Sequence, residues 1–284
     1  MIENKKEFKL LQKKSTPTSL LPNALTILGV CLGLSSIKFA LDLNYPMAVI
    51  TVGLAAILDT LDGRVARLVN ATSKVGKELD SLTDVISFGV APSFIMYFWT
   101  INEVGKIGWL FVLIYTVCCA LRLARFNLTT IDETENWKIN FFEGIPSPAA
   151  AGLVLLPLIL SLSNIVQILN LNEVIIFLNL ADIFQTQNNK MISSVVILLT
   201  SVLMVSKIPT YSLKRIAIPR SLGGFLLLGI GIYLSLLIFY TFEVLLLTGA
   251  VYVVLIPISF FHYKHLNKKF IHAKTKENEI EDIL

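Results

Sequence analysis

Long apolar stretches, separated by short polar segments, make up most of the chain. A helix needs roughly 20 mostly apolar residues to cross the hydrocarbon core of a bilayer, which is about 30 Å thick. Stretches of this kind predict about eight transmembrane helices, near residues 19–41, 46–66, 80–100, 107–126, 145–163, 191–206, 221–240 and 243–262. We therefore expect an all-α fold, a polytopic helical bundle within a membrane.

The basic residues cluster in alternate connections between these helices. All of the 24 Lys and Arg residues except Lys38, Lys106 and Lys190 fall at the two ends of the chain or in the connections after the second, fourth and sixth helices. The positive-inside rule predicts that both termini and these connections are cytoplasmic. This topology requires residues 164–188, which are apolar but interrupted by polar residues, to lie in the membrane interface without crossing.

Composition agrees with a membrane protein. The chain is 55% hydrophobic and only 15% charged, whereas soluble domains carry about 25% charged residues. This excludes an ordinary soluble fold and a disordered chain, and we expect no nucleic-acid partner. The 3 cysteines all lie in apolar stretches, which argues against a disulfide framework.

Four aspartates lie near the predicted cytoplasmic ends of the second and third helices. An Asp at the centre of a transmembrane helix costs roughly 2.5–3.5 kcal/mol, so such residues indicate function. Asp59 and Asp62 share one helical face with Gly63 and Arg67, and Asp80 and Asp84 share a face of the next helix. Since a short connection makes these helices antiparallel, we expect the acidic faces to converge.

Converging carboxylates repel one another unless cations neutralise them. Hard divalent ions with oxygen ligands suit such a site, and Mg²⁺ leaves positions for substrate phosphates. Two such ions can clamp a diphosphate. Gly63 allows close approach to the backbone, and Arg67 offers a guanidinium to a phosphate oxygen. The alternatives are interfacial ion pairs with neighbouring basic residues, or ligands for a transported ion.

The spacing of these residues resembles a known family signature. It reads Asp59-x2-Asp62-Gly63-x2-Ala66-Arg67-x8-Gly76-x3-Asp80-x3-Asp84 and is similar to that of the CDP-alcohol phosphotransferases, membrane enzymes that transfer a substituted phosphate from a CDP-linked donor to an alcohol. The resemblance implies the fold of that family and two divalent cations, Mg²⁺ or Mn²⁺, bound by the four aspartates. It also implies that Asp84 is the catalytic general base.

The resemblance further implies a set of residues that bind the CDP-lipid. Gly63, Arg67 and Ser73 belong to this set, although Thr72 beside Ser73 is an alternative. Residues 22–26, Pro-Asn-Ala-Leu-Thr, resemble the motif that opens the first helix of the family, whose Asn and Thr, here Asn23 and Thr26, lie near the nucleotide. The alternative for this segment is an ordinary N-terminal helix cap.

Three later segments are similar to phosphatidylserine synthases in particular. They are Leu121–Asn127, Phe142–Ala151 and Ser206–Ser212, and Glu143 is the departure from the expected pattern. This similarity implies CDP-diacylglycerol and L-serine as substrates. Arg122 and Arg125, at i and i+3, are suited to binding the carboxylate of serine, and Asn127 adds a hydrogen-bonding group. Alternatively, the arginines anchor the helix to anionic headgroups.

The resemblance also organises the chain. We expect a basic cytoplasmic segment over 1–18, the CDP-alcohol phosphotransferase domain over 19–215, two additional transmembrane helices over 216–263 and a cytoplasmic tail over 264–284. A homodimer in the bacterial inner membrane, with a cytoplasmic active site, is typical of the family. Glycerol 3-phosphate or an inositol phosphate is the alternative acceptor, and a divalent-cation transporter is the distant alternative function.

Overall fold

A computed structural model describes residues 17–69, 74–128, 141–163, 189–212 and 223–281. The helices are α1 (Pro17–Leu41), α2 (Tyr45–Leu68), α3 (Lys74–Asp84), α4 (Ala91–Trp99), α5 (Lys106–Leu128), α6 (Ser147–Leu162), α7 (Asn189–Val205), α8 (Gly223–Phe239) and α9 (Thr241–Glu281). A π-helical turn, Val85–Val90, joins α3 to α4, and a 3₁₀ turn, Ile101–Val104, precedes α5. Two short strands, β1 (Phe141–Glu143) and β2 (Pro209–Tyr211), complete the described elements.

Five of the described helical spans are long and apolar enough to cross a membrane: Leu21–Leu41, Tyr45–Leu68, Val75–Trp99, Lys106–Leu128 and Thr241–Lys268. Shorter apolar helices occupy Ser147–Leu162, Lys190–Val205 and Gly223–Phe239. The chain is therefore an integral membrane protein with an all-α polytopic bundle, which confirms the predicted fold class. Each of the eight predicted stretches contains a helix, but the third begins earlier than expected, at Val75. Residues 164–188, predicted to be interfacial, lie outside the described residues.

The bundle core is apolar and is built by residues of α2, α4, α5, α6 and α7 together with the π-helical turn. Tyr115 and Phe88 are among its largest fully buried side chains, and the Tyr115 hydroxyl donates a hydrogen bond to the Phe88 carbonyl oxygen at 3.0 Å. In contrast, no residue of α8 is buried, although the helix is apolar throughout. Such a surface is stable in hydrocarbon and unstable in water, so α8 is suited to face lipid.

The π-helical turn packs closely on α1. The Ser87 hydroxyl donates to the Gly29 carbonyl oxygen at 3.1 Å. One turn further along α1, a Cβ on Gly33 would lie 2.6 Å from Ser87 Oγ, so only glycine permits this approach. The turn begins directly after Asp84. Close packing on α1 therefore fixes the backbone beside that aspartate.

The two strands join connections that are far apart in the sequence. They pair antiparallel with Phe141 opposite Tyr211 and Glu143 opposite Pro209. Gly144, at φ +73°, follows β1; its N–H donates to Ile208 O at 2.9 Å, and its carbonyl accepts from Thr210 Oγ1 at 2.7 Å. This pairing, which the sequence analysis did not predict, fixes the entry to α6.

Candidate active site

Three aspartates, two from α2 and one from α3, meet at one place. Asp59, Asp62 and Asp80 each offer a carboxylate oxygen, and these oxygens all lie within 4.8 Å of one another. Asp59 also borders the carboxylate of Asp84. The structure thus brings together the two acidic faces that the helical spacing predicted to converge.

The first helix contacts this acidic cluster through Thr26. The Thr26 hydroxyl donates to Asp62 Oδ2 at 2.6 Å and also lies 3.0 Å from the Pro22 carbonyl oxygen. Asp62 is only 4% exposed, so this hydroxyl fixes one of its two oxygens in a nearly buried setting. Asn23 lies three residues earlier on α1 and is half-buried. Of the two residues expected near the nucleotide, Thr26 thus contacts the carboxylates directly.

The two carboxylate oxygens of Asp84 have different surroundings. Its Oδ2 accepts a hydrogen bond from Ser147 Oγ at 3.2 Å, whereas its Oδ1 is buried and has no hydrogen-bond partner among the described residues. Ser147 Oγ accepts in turn from Arg122 Nη1 at 3.4 Å. Ser147 is 1% exposed and Arg122 is 8% exposed. A buried chain of polar groups therefore connects the carboxylate on α3 to the guanidinium on α5.

Sequence reasoning missed Ser147. The signal was present, because a hydroxyl residue stands between Pro146 and Pro148 at the start of an apolar helix. Its position inside the phosphatidylserine synthase-like segment suggested acceptor preference, but the residue itself received no role. The structure gives it one, since Ser147 connects Asp84 to Arg122.

Gly63 and Arg67 lie one turn apart on α2, directly after Asp62. Arg67 Nε donates to the Gly63 carbonyl oxygen at 3.0 Å. A Cβ added to Gly63 would meet nothing within 4 Å among the described residues, so space beside the backbone is open to a ligand. Ser73, the third residue expected to bind the CDP-lipid on this side, lies outside the described residues.

The other two residues expected to bind serine are directed elsewhere. Arg125 Nη1 donates to Val205 O at 3.0 Å, and its Nη2 lies 3.6 Å from Glu143 Oε2. Asn127 Nδ2 donates to Ser81 Oγ at 2.8 Å, which ties the end of α5 to α3. Arg122 thus reaches Asp84 through Ser147, whereas these hydrogen bonds of Arg125 and Asn127 lead to α7 and to Ser81 of α3. Arg125 instead connects α5 to the segments that bear β1 and β2.

The acidic cluster has the chemistry of a divalent-cation site. Its donors are carboxylate oxygens, the ligands that Mg²⁺ and Mn²⁺ prefer. Buried polar atoms are nearly always paired, so the unpartnered Oδ1 of Asp84 also indicates a position for a ligand or an ion. These residues fit a divalent cation.

Comparisons with known proteins give the same family as the residue pattern. The sequence model of the CDP-alcohol phosphatidyltransferase family matches residues 19–182. A CDP-diacylglycerol–serine O-phosphatidyltransferase of Mycobacterium leprae is 45% identical over 140 residues, which are 49% of this chain and 46% of that protein. The Helicobacter pylori (strain ATCC 700392 / 26695) protein of the same name is 47% identical over 144 residues, 51% of this chain and 59% of the relative.

A third relative is matched over more of its own length. The Bacillus subtilis CDP-diacylglycerol–serine O-phosphatidyltransferase is 38% identical over 130 residues, which are 46% of this chain and 70% of that protein. The chain spans about half the length of the mycobacterial and Helicobacter relatives. The match of the family to more than half of the chain, together with the converging aspartates of α2 and α3, establishes that the chain belongs to the CDP-alcohol phosphatidyltransferase family.

Proposed function

We propose that this protein transfers the phosphatidyl group of CDP-diacylglycerol to the hydroxyl of L-serine, giving phosphatidylserine and CMP. The observation that carries the proposal is the buried chain from Asp84 through Ser147 to Arg122 beside the acidic cluster. It puts a group able to accept a proton next to a buried cation able to bind a carboxylate. Serine needs both, because it brings a hydroxyl and a carboxylate.

The donor diphosphate is assigned to the acidic cluster. Asp59, Asp62, Asp80 and Asp84 would hold two divalent cations, Mg²⁺ or Mn²⁺, which would neutralise the phosphate oxygens and the leaving CMP. Arg67 and the open space beside Gly63 are available to the nucleotide, together with Asn23, Thr26 and Ser73. Support comes from the carboxylate oxygens within 4.8 Å of one another and from the unobstructed Gly63.

The acceptor is assigned to the side of Arg122. A nearly buried guanidinium needs an anionic partner, and its planar fork matches a carboxylate. The names of the mycobacterial, Helicobacter and Bacillus relatives all include serine as the acceptor. Arg125 and Asn127 contribute to this side indirectly, since their hydrogen bonds hold the end of α5 against α3 and the end of α7.

The chain's own residues then position one displacement. Asp84 Oδ1 accepts the proton of the serine hydroxyl, while Ser147 holds Oδ2 and so fixes the orientation of the carboxylate. The serine oxygen forms a bond to the phosphorus next to the glycerol, and the bond from that phosphorus to the CMP oxygen breaks. The proton passes from Asp84 to solvent after release. Positioning supplies most of the rate, and a single displacement inverts the configuration at phosphorus.

The remaining features of the proposal concern placement in the cell. The excess of Lys and Arg in alternate connections supports cytoplasmic termini and a cytoplasmic active site. On this basis the enzyme works in the inner membrane of a bacterium and takes its lipid donor from the cytoplasmic leaflet. The subdivision into 1–18, 19–215, 216–263 and 264–284 and the homodimer remain part of the proposal.

A product assay tests the function. Purified protein would be supplied with CDP-diacylglycerol and Mg²⁺ or Mn²⁺, and with labelled serine or glycerol 3-phosphate in parallel. Of the two acceptors, only serine is expected to give a labelled lipid, phosphatidylserine, together with CMP. The rate should fall at least about 100-fold in Asp84→Asn, because general-base catalysis contributes about 10²–10⁴-fold. Asp42→Asn is the matched control, since Asp42 is exposed, lies in the connection after α1 and pairs with Lys38 of α1.

Each unexpected product would overturn a different part of the proposal. Product from glycerol 3-phosphate alone would refute the assignment of the acceptor and leave the acidic cluster in place. CMP release that persists in Asp84→Asn would refute the proton-transfer role. Retention of configuration at phosphorus would exclude a single displacement.

A further inference from the structure

Buried polar atoms that have no hydrogen-bond partner among the described residues occur on Arg122 and on its neighbour Tyr252. They are Arg122 Nε and the hydroxyl oxygen of Tyr252. Tyr252 is close enough to Arg122 to interact with it electrostatically, as is Asp84. A buried polar group without a partner costs about 1–3 kcal/mol. Such atoms grouped around a cation indicate a binding site for a polar ligand.

Tyr252 is held there by the packing of α9. Its hydroxyl lies beside Thr210 of β2, whose own hydroxyl donates to the Gly144 carbonyl oxygen at 2.7 Å, so the threonine oxygen is fixed next to the tyrosine hydroxyl. Close packing fixes the helix on either side. One turn before Tyr252, Gly249 is so near α6 that an added Cβ would lie 2.5 Å from Leu156 Cδ2. Further along, His262 Nδ1 lies 2.9 Å from the Tyr211 hydroxyl.

We propose that Tyr252 is a specificity-determining residue, whose hydroxyl donates a hydrogen bond to the carboxylate of the amino-acid acceptor beside Arg122. The inference rests on the proposed function and adds to it a residue from α9. That helix lies beyond the part of the chain that matches the family, residues 19–182. Residues 19–182 then supply the aspartates and Arg122, and α9 supplies a further hydrogen-bond donor to the acceptor.

The chemistry of the two side chains is complementary. Arg122 provides charge and a planar set of N–H donors, of which Nη1 is already directed at Ser147. A carboxylate has two oxygens and accepts several hydrogen bonds, so a hydroxyl donor can act together with the guanidinium. Phenylalanine would fill the same space between α9 and β2 without an unpaired oxygen. Packing alone therefore does not require the hydroxyl, and this group is available to donate to a ligand beside Arg122.

The test is steady-state kinetics of the full-length protein with Tyr252→Phe. Loss of one hydrogen bond to a charged group should raise KM for serine about tenfold, while KM for CDP-diacylglycerol changes less than about twofold. Tyr233→Phe is the matched control: Tyr233 is 41% exposed, and its hydroxyl bonds Thr248 at 3.2 Å between α8 and α9. It should leave both constants unchanged.

The outcomes separate this inference from the function on which it rests. Wild-type protein that makes no phosphatidylserine would refute the proposed function. Wild-type protein that makes it, with an unchanged KM for serine in Tyr252→Phe, would refute the role of Tyr252 alone. Equal changes in the constants for serine and CDP-diacylglycerol, or a matching effect of Tyr233→Phe, would show that the tyrosine is structural.

Discussion

Gly33 offers a direct test of the idea that close packing of α1 positions Asp84. In Gly33→Ala the new Cβ would lie 2.6 Å from Ser87 Oγ, 2.9 Å from Ser87 Cα and 3.1 Å from Ser87 Cβ. Nonbonded atoms attract best at about 3.5–4.0 Å, so α1 and the π-helical turn must separate by about 0.5–1 Å. The turn begins directly after Asp84, and the displacement therefore reaches the carboxylate.

The expected effects on activity and stability differ in size. A misplacement of about 1 Å at a reacting group can cost 100-fold in rate, so CMP release should fall about 100-fold. Overpacking costs about 1–3 kcal/mol, but alanine gains up to about 1 kcal/mol over glycine within a helix. The free energy of unfolding should therefore fall by only about 0–2 kcal/mol. Initial rates and thermal unfolding in detergent would measure the two effects.

Two other glycines in membrane helices serve as controls. A Cβ on Gly29 would make an ordinary contact with Thr83 Cγ2 at 3.4 Å, and a Cβ on Gly53 would meet nothing within 4 Å. Gly29→Ala and Gly53→Ala should keep most of the wild-type rate. Adding Ser87→Gly to Gly33→Ala removes two of the three close atoms and should restore part of the rate. Near-wild-type activity of Gly33→Ala, or equal losses in all three variants, would refute the argument.

Three further predictions concern the acidic cluster and the turn before α6. Thr26→Val removes the 2.6 Å hydrogen bond to Asp62. Since such supporting bonds are worth about 10–100-fold in metal affinity, the Mg²⁺ concentration for half-maximal activity should rise at least about tenfold in this variant and stay near wild type in Thr26→Ser. An equal response of the two variants would contradict the role of the hydroxyl. Gly144→Ala places a Cβ at φ +73° within 2.5 Å of Met204 O and should reduce the free energy of unfolding by about 2 kcal/mol or more. Gly152→Ala, whose Cβ would meet nothing within 4 Å among the described residues, should change it little. Similar melting temperatures for the two variants would refute this prediction. A chelator should abolish CMP release and added Mg²⁺ or Mn²⁺ should restore it, so that full activity in excess chelator would exclude a role for divalent ions.

Helical periodicity was enough to predict the arrangement of the acidic cluster. Aspartates at i and i+3 on α2, and at i and i+4 on α3, share a face in any regular helix. A short connection then leaves few ways to pack the two helices. Apolar length likewise located a helix in each of the eight predicted stretches, because the bilayer thickness sets the number of residues required; five of the described spans are long enough to cross a membrane.

Features that depend on tertiary contacts were not predictable. The π-helical turn Val85–Val90 has an apolar sequence that suits an α-helix equally well, and its packing on Gly33 becomes evident only in three dimensions. The strands β1 and β2 have three residues each, too few for a periodic pattern.

The two arginines of α5 illustrate the same limit. Arg122 and Arg125 lie near one another on a helical wheel, so the spacing favoured a shared ligand. Their different partners, Ser147 for one and the carbonyl oxygens of Val205 and Ser206 at the end of α7 for the other, are set by elements remote in sequence. Periodicity does not determine the direction of a long side chain.

The link between Gly144 and Thr210 has a consequence for the order in which the protein assembles during synthesis. These residues are 66 positions apart, and the turn that they stabilise leads directly into Ser147. The aspartates and Thr26, by contrast, all belong to α1, α2 and α3. A nascent chain can therefore bring its carboxylates together early, but it cannot fix Ser147 against Asp84 until α7 has entered the membrane. Biosynthesis thus separates formation of the acidic cluster from completion of the candidate active site. A truncated chain that ends before β2 would contain the acidic cluster but would lack the contacts that fix Ser147.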